Sequence, residues 1–144
     1  MAGAGKTIIL IAHGRKLPEL IKLINRQRAV FETYRLLATS ETGEAIEAET
    51  GLEVTHVFSG RKGGEIQLCG LVCTNSIRAV FFIRDPETAA LDEPDITPFY
   101  RACDLNNVPY ASNMVSAVAL THWLGRKLES PVARDADGTR EDAA

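Results

Sequence analysis

The run Thr7-Ile-Ile-Leu-Ile-Ala-His13 (TIILIAH) decides the fold class. Its apolar residues are continuous rather than alternating. Strands that bury one face alternate, whereas strands covered on both faces read as unbroken apolar runs. The run is also too short for a typical helix. It therefore predicts a parallel strand with helices packed on either side, ending in the polar pair His13-Gly14.

The rest of the chain repeats that unit. Leu17 to Phe31 (LPELIKLINRQRAVF) places Leu17, Leu20, Ile21, Ile24 and Val30 near helical spacing. Tyr34 to Ser40 (YRLLATS) reads as a second strand ending at Thr39. Thr42 to Gly51 (TGEAIEAETG) reads as a short helix with a glycine near its end. Leu52 to Gly60 (LEVTHVFSG) is β-rich and forms strand three. Gly64 to Asn75 is a helix, and Ala79 to Asp85 (AVFFIRD) is a buried fourth strand stopped by Pro86. Asp95 to Asn107 is a helix, Val108 to Asn113 a brief fifth strand, and Ser116 to Leu128 a closing amphipathic helix. Strands alternating with helices specify an α/β fold. We expect a single domain with a five-stranded parallel, doubly wound sheet and helices on both faces. Its bounds are 1–128, followed by a mobile, aperiodic tail over 129–144.

Composition narrows the function classes. The 144 residues suit one domain with one sizeable core. The net charge of −3 gives no basic footprint for nucleic acid. No apolar run approaches the ~20 residues of a membrane span, and Met1 to Lys6 carries no signal-peptide core. The three cysteines, Cys69, Cys73 and Cys103, include no CxxC pair, so neither a disulfide framework nor a zinc site is expected. Cys69 and Cys73 read as core thiols. Cytoplasm is the expected compartment. Gly3 to Thr7 (GAGKT) imitates the end of a phosphate-binding P-loop. A strand follows it where a helix is required, so the match is discounted.

In parallel sheets, ligands bind beyond the carboxyl ends of the strands. Those ends carry His13, Thr39-Ser40, Ser59-Gly60 and Asp85, which topology alone should bring to one cleft. Phe58 to Gln67 (FSGRKGGEIQ) adds three glycines within five residues, the cations Arg61 and Lys62, and the carboxylate of Glu65. Glycines let a backbone approach a ligand and aim N–H groups at an anion. A carboxylate at the same mouth must serve another purpose. His56, mid-strand, and His122, on the last helix, read as structural or surface residues.

Taken together, IAHG (11–14), LATSETG (37–43), SGRKGGEIQ (59–67), FFIRDP (81–86) and DEPD (92–95) resemble the methylglyoxal synthase family, from about Thr7 to Leu124. The resemblance implies a lyase that converts dihydroxyacetone phosphate to methylglyoxal and phosphate through an enediolate. It implies no metal or organic cofactor, a small phosphorylated metabolite as partner, and a homo-oligomer, the family's hexamer. Glu65 falls at the family's general base, normally an aspartate, and so would face carbon rather than phosphate. His13 would polarise the substrate oxygens, and Asp85 and Asp95 fall at active-site aspartates. On the residues alone, Asp85 before Pro86 also fits a turn and Asp95 a helix N-cap. Lys16, Thr39, Ser40, Thr42, Ser59 and Gly60 would hold phosphate. The chain departs from the family pattern at Gly14, Leu17, Glu41, Glu65 and Asp92; Arg61 and Lys62 read equally as compensating charge or as a solvated loop pair. The alternative is a domain of the same fold that binds a small anionic metabolite as a sensor, without catalysis or with altered specificity.

Overall fold

The computed structural model describes residues 6–87 and 96–129. The first strand, β1 (Thr7–Ala12), is buried from Thr7 to Ile11. That burial follows from the unbroken apolar run. A short 3-10 turn at Gly14–Lys16 leads into α1 (Leu17–Arg26), which has a proline in its first turn, where the missing N–H costs nothing. The helix expected to reach Phe31 breaks at Gln27 (φ −112°, ψ 34°) and restarts as α2 (Arg28–Phe31). β2 (Arg35–Thr39) follows, then α3 (Ser40–Thr50), which ends at Gly51 with φ 73°. That left-handed residue is what a glycine supplies cheaply at a helix end.

The third strand is shorter than its sequence suggests. β3 spans only Thr55–Val57, at the sheet edge beside β2. Val54 N–H donates to the Glu47 carboxylate on α3 (3.0 Å) instead of to a neighbouring strand. A 3-10 turn (Gly60–Lys62) then feeds α4 (Gly64–Val72). β4 (Ile77–Ile83) is buried throughout. α5 (Thr97–Leu105), β5 (Tyr110–Ala111) and α6 (Met114–Glu129) complete the described chain. α6 extends one residue into the expected tail; residues 130–144 lie outside the described residues.

All five strands are parallel, in the order β3-β2-β1-β4-β5. Two hydrophobic layers sandwich the sheet. One gathers Leu20, Ile24, Phe31, Ile46, Leu120 and Leu124 from α1, α2, α3 and α6. The other gathers Leu68, Val72, Phe99 and Cys103 from α4 and α5. Strand side chains alternate between them, Ile8 and Leu10 to the first, Ile9 and Ile11 to the second. Burial of residues such as Phe81, wholly inaccessible, is the main stabiliser; truncating one such aromatic costs about 3–5 kcal/mol. Cys103 joins the core, but Cys73 is exposed and Cys69 half-buried. α4 turns Gly64, Leu68 and Val72 inward at four-residue spacing, and a position one step later is rotated away from that face. Among the described residues no helix is long and apolar enough to cross a membrane.

In this order, successive connections run outward on both sides of β1 and β4. Their carboxyl ends therefore form the switch point where a crevice opens. β1 also follows directly from Lys6, which rules out the P-loop reading of Gly3 to Thr7.

Candidate active site

His13 leaves β1 at this switch point. Its backbone N–H donates to the Ile83 carbonyl at the end of β4 (3.0 Å). The Asp85 backbone N–H donates to His13 Nδ1 (2.9 Å). Because Nδ1 accepts a backbone hydrogen bond, the neutral ring carries its proton on Nε2. The Phe82 ring meets the imidazole edge-on (centroids 6.2 Å apart, 88°). A donor N–H in a fixed direction is what polarising a carbonyl or stabilising an oxyanion requires.

Asp85 is only 4% exposed. Its Oδ1 accepts the Glu87 N–H (3.0 Å), closing a turn around Pro86, and its Oδ2 pairs with Arg15 (3.4 Å). The turn reading of Asp85 is met, and the turn sits against His13. A carboxylate so occupied orders its surroundings.

The start of α3 lies beside this pair. Thr42 Oγ1 accepts the Ala12 N–H (3.4 Å) and lies 3.3 Å from Thr39 Oγ1. Both threonines are buried. Thr39 occupies the N-cap position, yet its hydroxyl makes no capping bond. The first N–H groups of a helix lack internal partners, so they and the helix dipole form an anion site. Glu41 is exposed, and the Ser40 hydroxyl donates to its Oε2 (3.4 Å). It does not fill the threonine pocket.

The third contribution is the loop from Ser59 to Glu65. Three N–H groups fold back inside it: Lys62 and Gly64 donate to the Ser59 carbonyl (3.0 and 2.9 Å), and Gly63 to Gly60 (3.2 Å). Gly63 has φ 86°, and a Cβ on Gly64 would lie 1.8 Å from the Phe58 carbonyl oxygen. The Gly-Gly pair is thus a geometric requirement. Ser59, like Thr39, precedes a helical turn without a side-chain cap bond. Glu65 opens α4 half-buried, with Oε2 3.7 Å from where a Cβ on Gly60 would sit. Its carboxylate makes no hydrogen bond or ion pair among the described residues.

The remaining expected residues divide. Lys16 is half-buried in the turn after His13, 3.9 Å from Glu19. Leu17 begins α1. Arg61 and Lys62 are exposed in the 3-10 turn. Asp92 and Asp95 lie outside the described residues. His56 bonds Glu47 (3.1 Å) and packs against Gly43, and His122 is exposed, so both are structural or surface residues. Sequence reasoning missed Arg15 and Phe82. Their roles depend on β1 and β4 being neighbours, which no local pattern reveals.

Comparison with known proteins bears on the whole chain. A family model described as "MGS-like domain" matches residues 19–112. A protein named methylglyoxal synthase from Thermus thermophilus is 41% identical over 119 residues, covering 83% of this chain and 94% of that protein. One of the same name from Burkholderia multivorans is 43% identical over 122 residues, covering 85% and 94%. The crystal structure of a methylglyoxal synthase from Elizabethkingia anophelis superposes with TM-score 0.76 at 34% identity, over 81% of this chain and 76% of that one. At that identity and coverage the chain belongs to the methylglyoxal synthase family, built on the MGS-like domain.

Proposed function

We propose that this protein is a methylglyoxal synthase, a carbon–oxygen lyase acting on dihydroxyacetone phosphate. The observation that carries the reading is the bond from Asp85 N–H to His13 Nδ1, which leaves a neutral Nε2–H donor at the switch point. Glu65 takes a proton from the hydroxymethyl carbon beside the carbonyl. The freed electron pair moves to the carbonyl oxygen, and His13 Nε2–H stabilises the resulting enediolate. The enediolate then expels phosphate: the carbon–oxygen bond breaks, the hydroxyl on the deprotonated carbon becomes the aldehyde, and its proton leaves with the phosphate. The remaining enolate takes the proton held by Glu65 on its methylene carbon and becomes methylglyoxal. All these steps use side chains of this chain.

Phosphate is held by the start of α3 with Thr39, Ser40 and Thr42, and by Ser59 and Gly60, with Lys16 nearby. Asp85 orders His13, and Asp95 is assigned to the same network by the family pattern. Glutamate at the base position reaches ~1.5 Å further than aspartate. A misplacement of ~1 Å can cost on the order of 100-fold, so this extra length bears directly on turnover. We also assign the protein to the cytoplasm as a homohexamer. Val115, 82% exposed on α6, with the neighbouring Val118, provides apolar surface for subunit contact. Light scattering showing a monomer at micromolar concentration would remove the hexamer. The decisive test is incubation of purified protein with dihydroxyacetone phosphate. Equimolar release of phosphate and methylglyoxal supports the reading. Saturable binding with no release transfers the site to a sensor of anionic metabolites.

A further inference from the structure

Gly14 stands where the family pattern has an acidic residue, and it is followed by Arg15. The Arg15 guanidinium lies 3.4 Å from Asp85 Oδ2. Arg15 is itself 67% exposed, while Asp85 is 4% exposed. An isolated buried carboxylate is costly, and a charge-assisted bond offsets part of that cost. The other carboxylate oxygen is engaged by Glu87 N–H, so the Asp85 turn is fixed from two sides. From that turn the Asp85 N–H reaches His13 Nδ1 (2.9 Å), and His13 N–H returns to Ile83 (3.0 Å). Residues 13–15 and 83–85 thus close a ring of three contacts across the switch point. Among its three contacts, the one with Arg15 is made by an exposed side chain.

We propose that Arg15 is a positioning residue. By anchoring Asp85 Oδ2 it holds the turn whose N–H selects the Nε2–H tautomer of His13. The inference rests on the role given to His13 above, but its structural half can be read without turnover. An alternative role, direct contact between Arg15 and the substrate phosphate, predicts a different pattern.

The experiment compares wild type, Arg15→Gln and Arg15→Lys, with melting curves confirming that all three fold. Nitrogen-15 spectra of ring-labelled protein report the His13 tautomer at a pH where the ring is neutral. Wild type should show Nδ1 as acceptor and Nε2 protonated. Arg15→Gln should show a mixture of tautomers, and Arg15→Lys should restore most of the wild-type signal. With dihydroxyacetone phosphate, Arg15→Gln should lower kcat about tenfold or more with KM changed by less than about threefold. An unaltered tautomer in Arg15→Gln overturns the proposal, whatever happens to kcat. A rise in KM with kcat unchanged also overturns it and makes Arg15 a substrate contact. If wild type itself shows no turnover, the methylglyoxal synthase reading fails, while the tautomer comparison still decides the role of Arg15.

Discussion

The two halves of the site are built by opposite means. On the His13 side, position is set by bonds made to side chains: the Asp85 carboxylate is held at both oxygens, and the Asp85 backbone N–H holds the imidazole. On the Glu65 side, position is set by backbone: glycine conformations and N–H groups turned back on Ser59 and Gly60 shape the loop, while the carboxylate makes no bond among the described residues. A donor that must stabilise developing charge benefits from a fixed direction. A base that must first meet and then carry a proton benefits from an unengaged carboxylate on a rigid support. The two halves should therefore fail differently, the first through loss of partners and the second through loss of space or of the carboxylate itself.

The largest effect is expected at Glu65. Glu65→Gln keeps the volume and the loop but removes proton abstraction. Turnover should fall about 100- to 10,000-fold, with phosphate affinity retained or improved. Steady-state kinetics alongside phosphate titration check this. Turnover within a few-fold of wild type would move the base to another carboxylate and end the division of labour drawn above.

Next in size is Gly64→Ala, which attacks the backbone of the same loop. The added methyl would meet the Phe58 carbonyl at 1.8 Å, and carbonyl backbone cannot swing aside as a flexible side chain can. We expect destabilisation at the upper end of the ~0.5–3 kcal/mol span of single substitutions, with activity lost together with stability. Gly14→Ala is the contrast, because a Cβ there meets nothing within 4 Å. Its melting temperature should stay within about 2 °C of wild type. Equal effects of the two substitutions would show that the Gly-Gly pair is not a steric requirement.

How much of this division was legible in the sequence depends on the range of the forces involved. TIILIAH and AVFFIRD announced buried parallel strands because burial on both faces leaves an unbroken apolar run. The strand-end rule then named His13, Thr39, Ser59 and Asp85 without any contact being known. The break at Gln27 was not legible, since the apolar spacing continues through it. Nor was the shortness of β3, where a glutamate from α3 takes the bond a longer strand would have made. The exposure of Cys73 was misread because four-residue spacing fits Cys69 and Cys73 as well as Gly64, Leu68 and Val72. Only packing chooses which stripe faces in. The Arg15–Asp85 pair joins residues 70 apart in the chain and follows from the sheet order alone.

Alkaline pH should weaken the fold without mutation. Burial pushes the Cys103 thiol up from its ordinary 9.0 to about 12, and burial also raises Cys69, Tyr100 and Tyr110. All four lie on α4, α5 or β5. Each has a folded value above its unfolded one. Their contribution is therefore complete below the unfolded value and is lost as pH rises through the folded one. For Cys103 the window runs from 9.0 toward about 12, and stability should decline there by up to about 1 kcal/mol per pH unit. Denaturant melts across that range check it, and Cys103→Ala should flatten the decline. A decline of the same slope in that variant would place the alkaline sensitivity elsewhere.

The smallest effect tests the corner proposed to bind the anion. Glu41 introduces a negative charge in the first turn of α3, the same turn proposed to hold phosphate. A buried carboxylate there would oppose an anion strongly. Glu41 is exposed and bonded to Ser40, so solvent and salt screen most of that repulsion. The same charge also complements the positive end of the helix, a contribution of about 0.3–1 kcal/mol at an exposed site. Glu41 and a bound phosphate thus compete for one dipole. Glu41→Thr should tighten phosphate binding by only about two- to fivefold at low salt, the fold-change equivalent of that energy. It should also cost a few tenths of a kcal/mol in stability when no anion is present. Calorimetric titration at two salt concentrations checks this, since the gain should shrink as salt rises. A gain of a hundredfold, unmoved by salt, would mean that Glu41 turns inward when phosphate arrives and that the His13 half is less fixed than its bonds suggest.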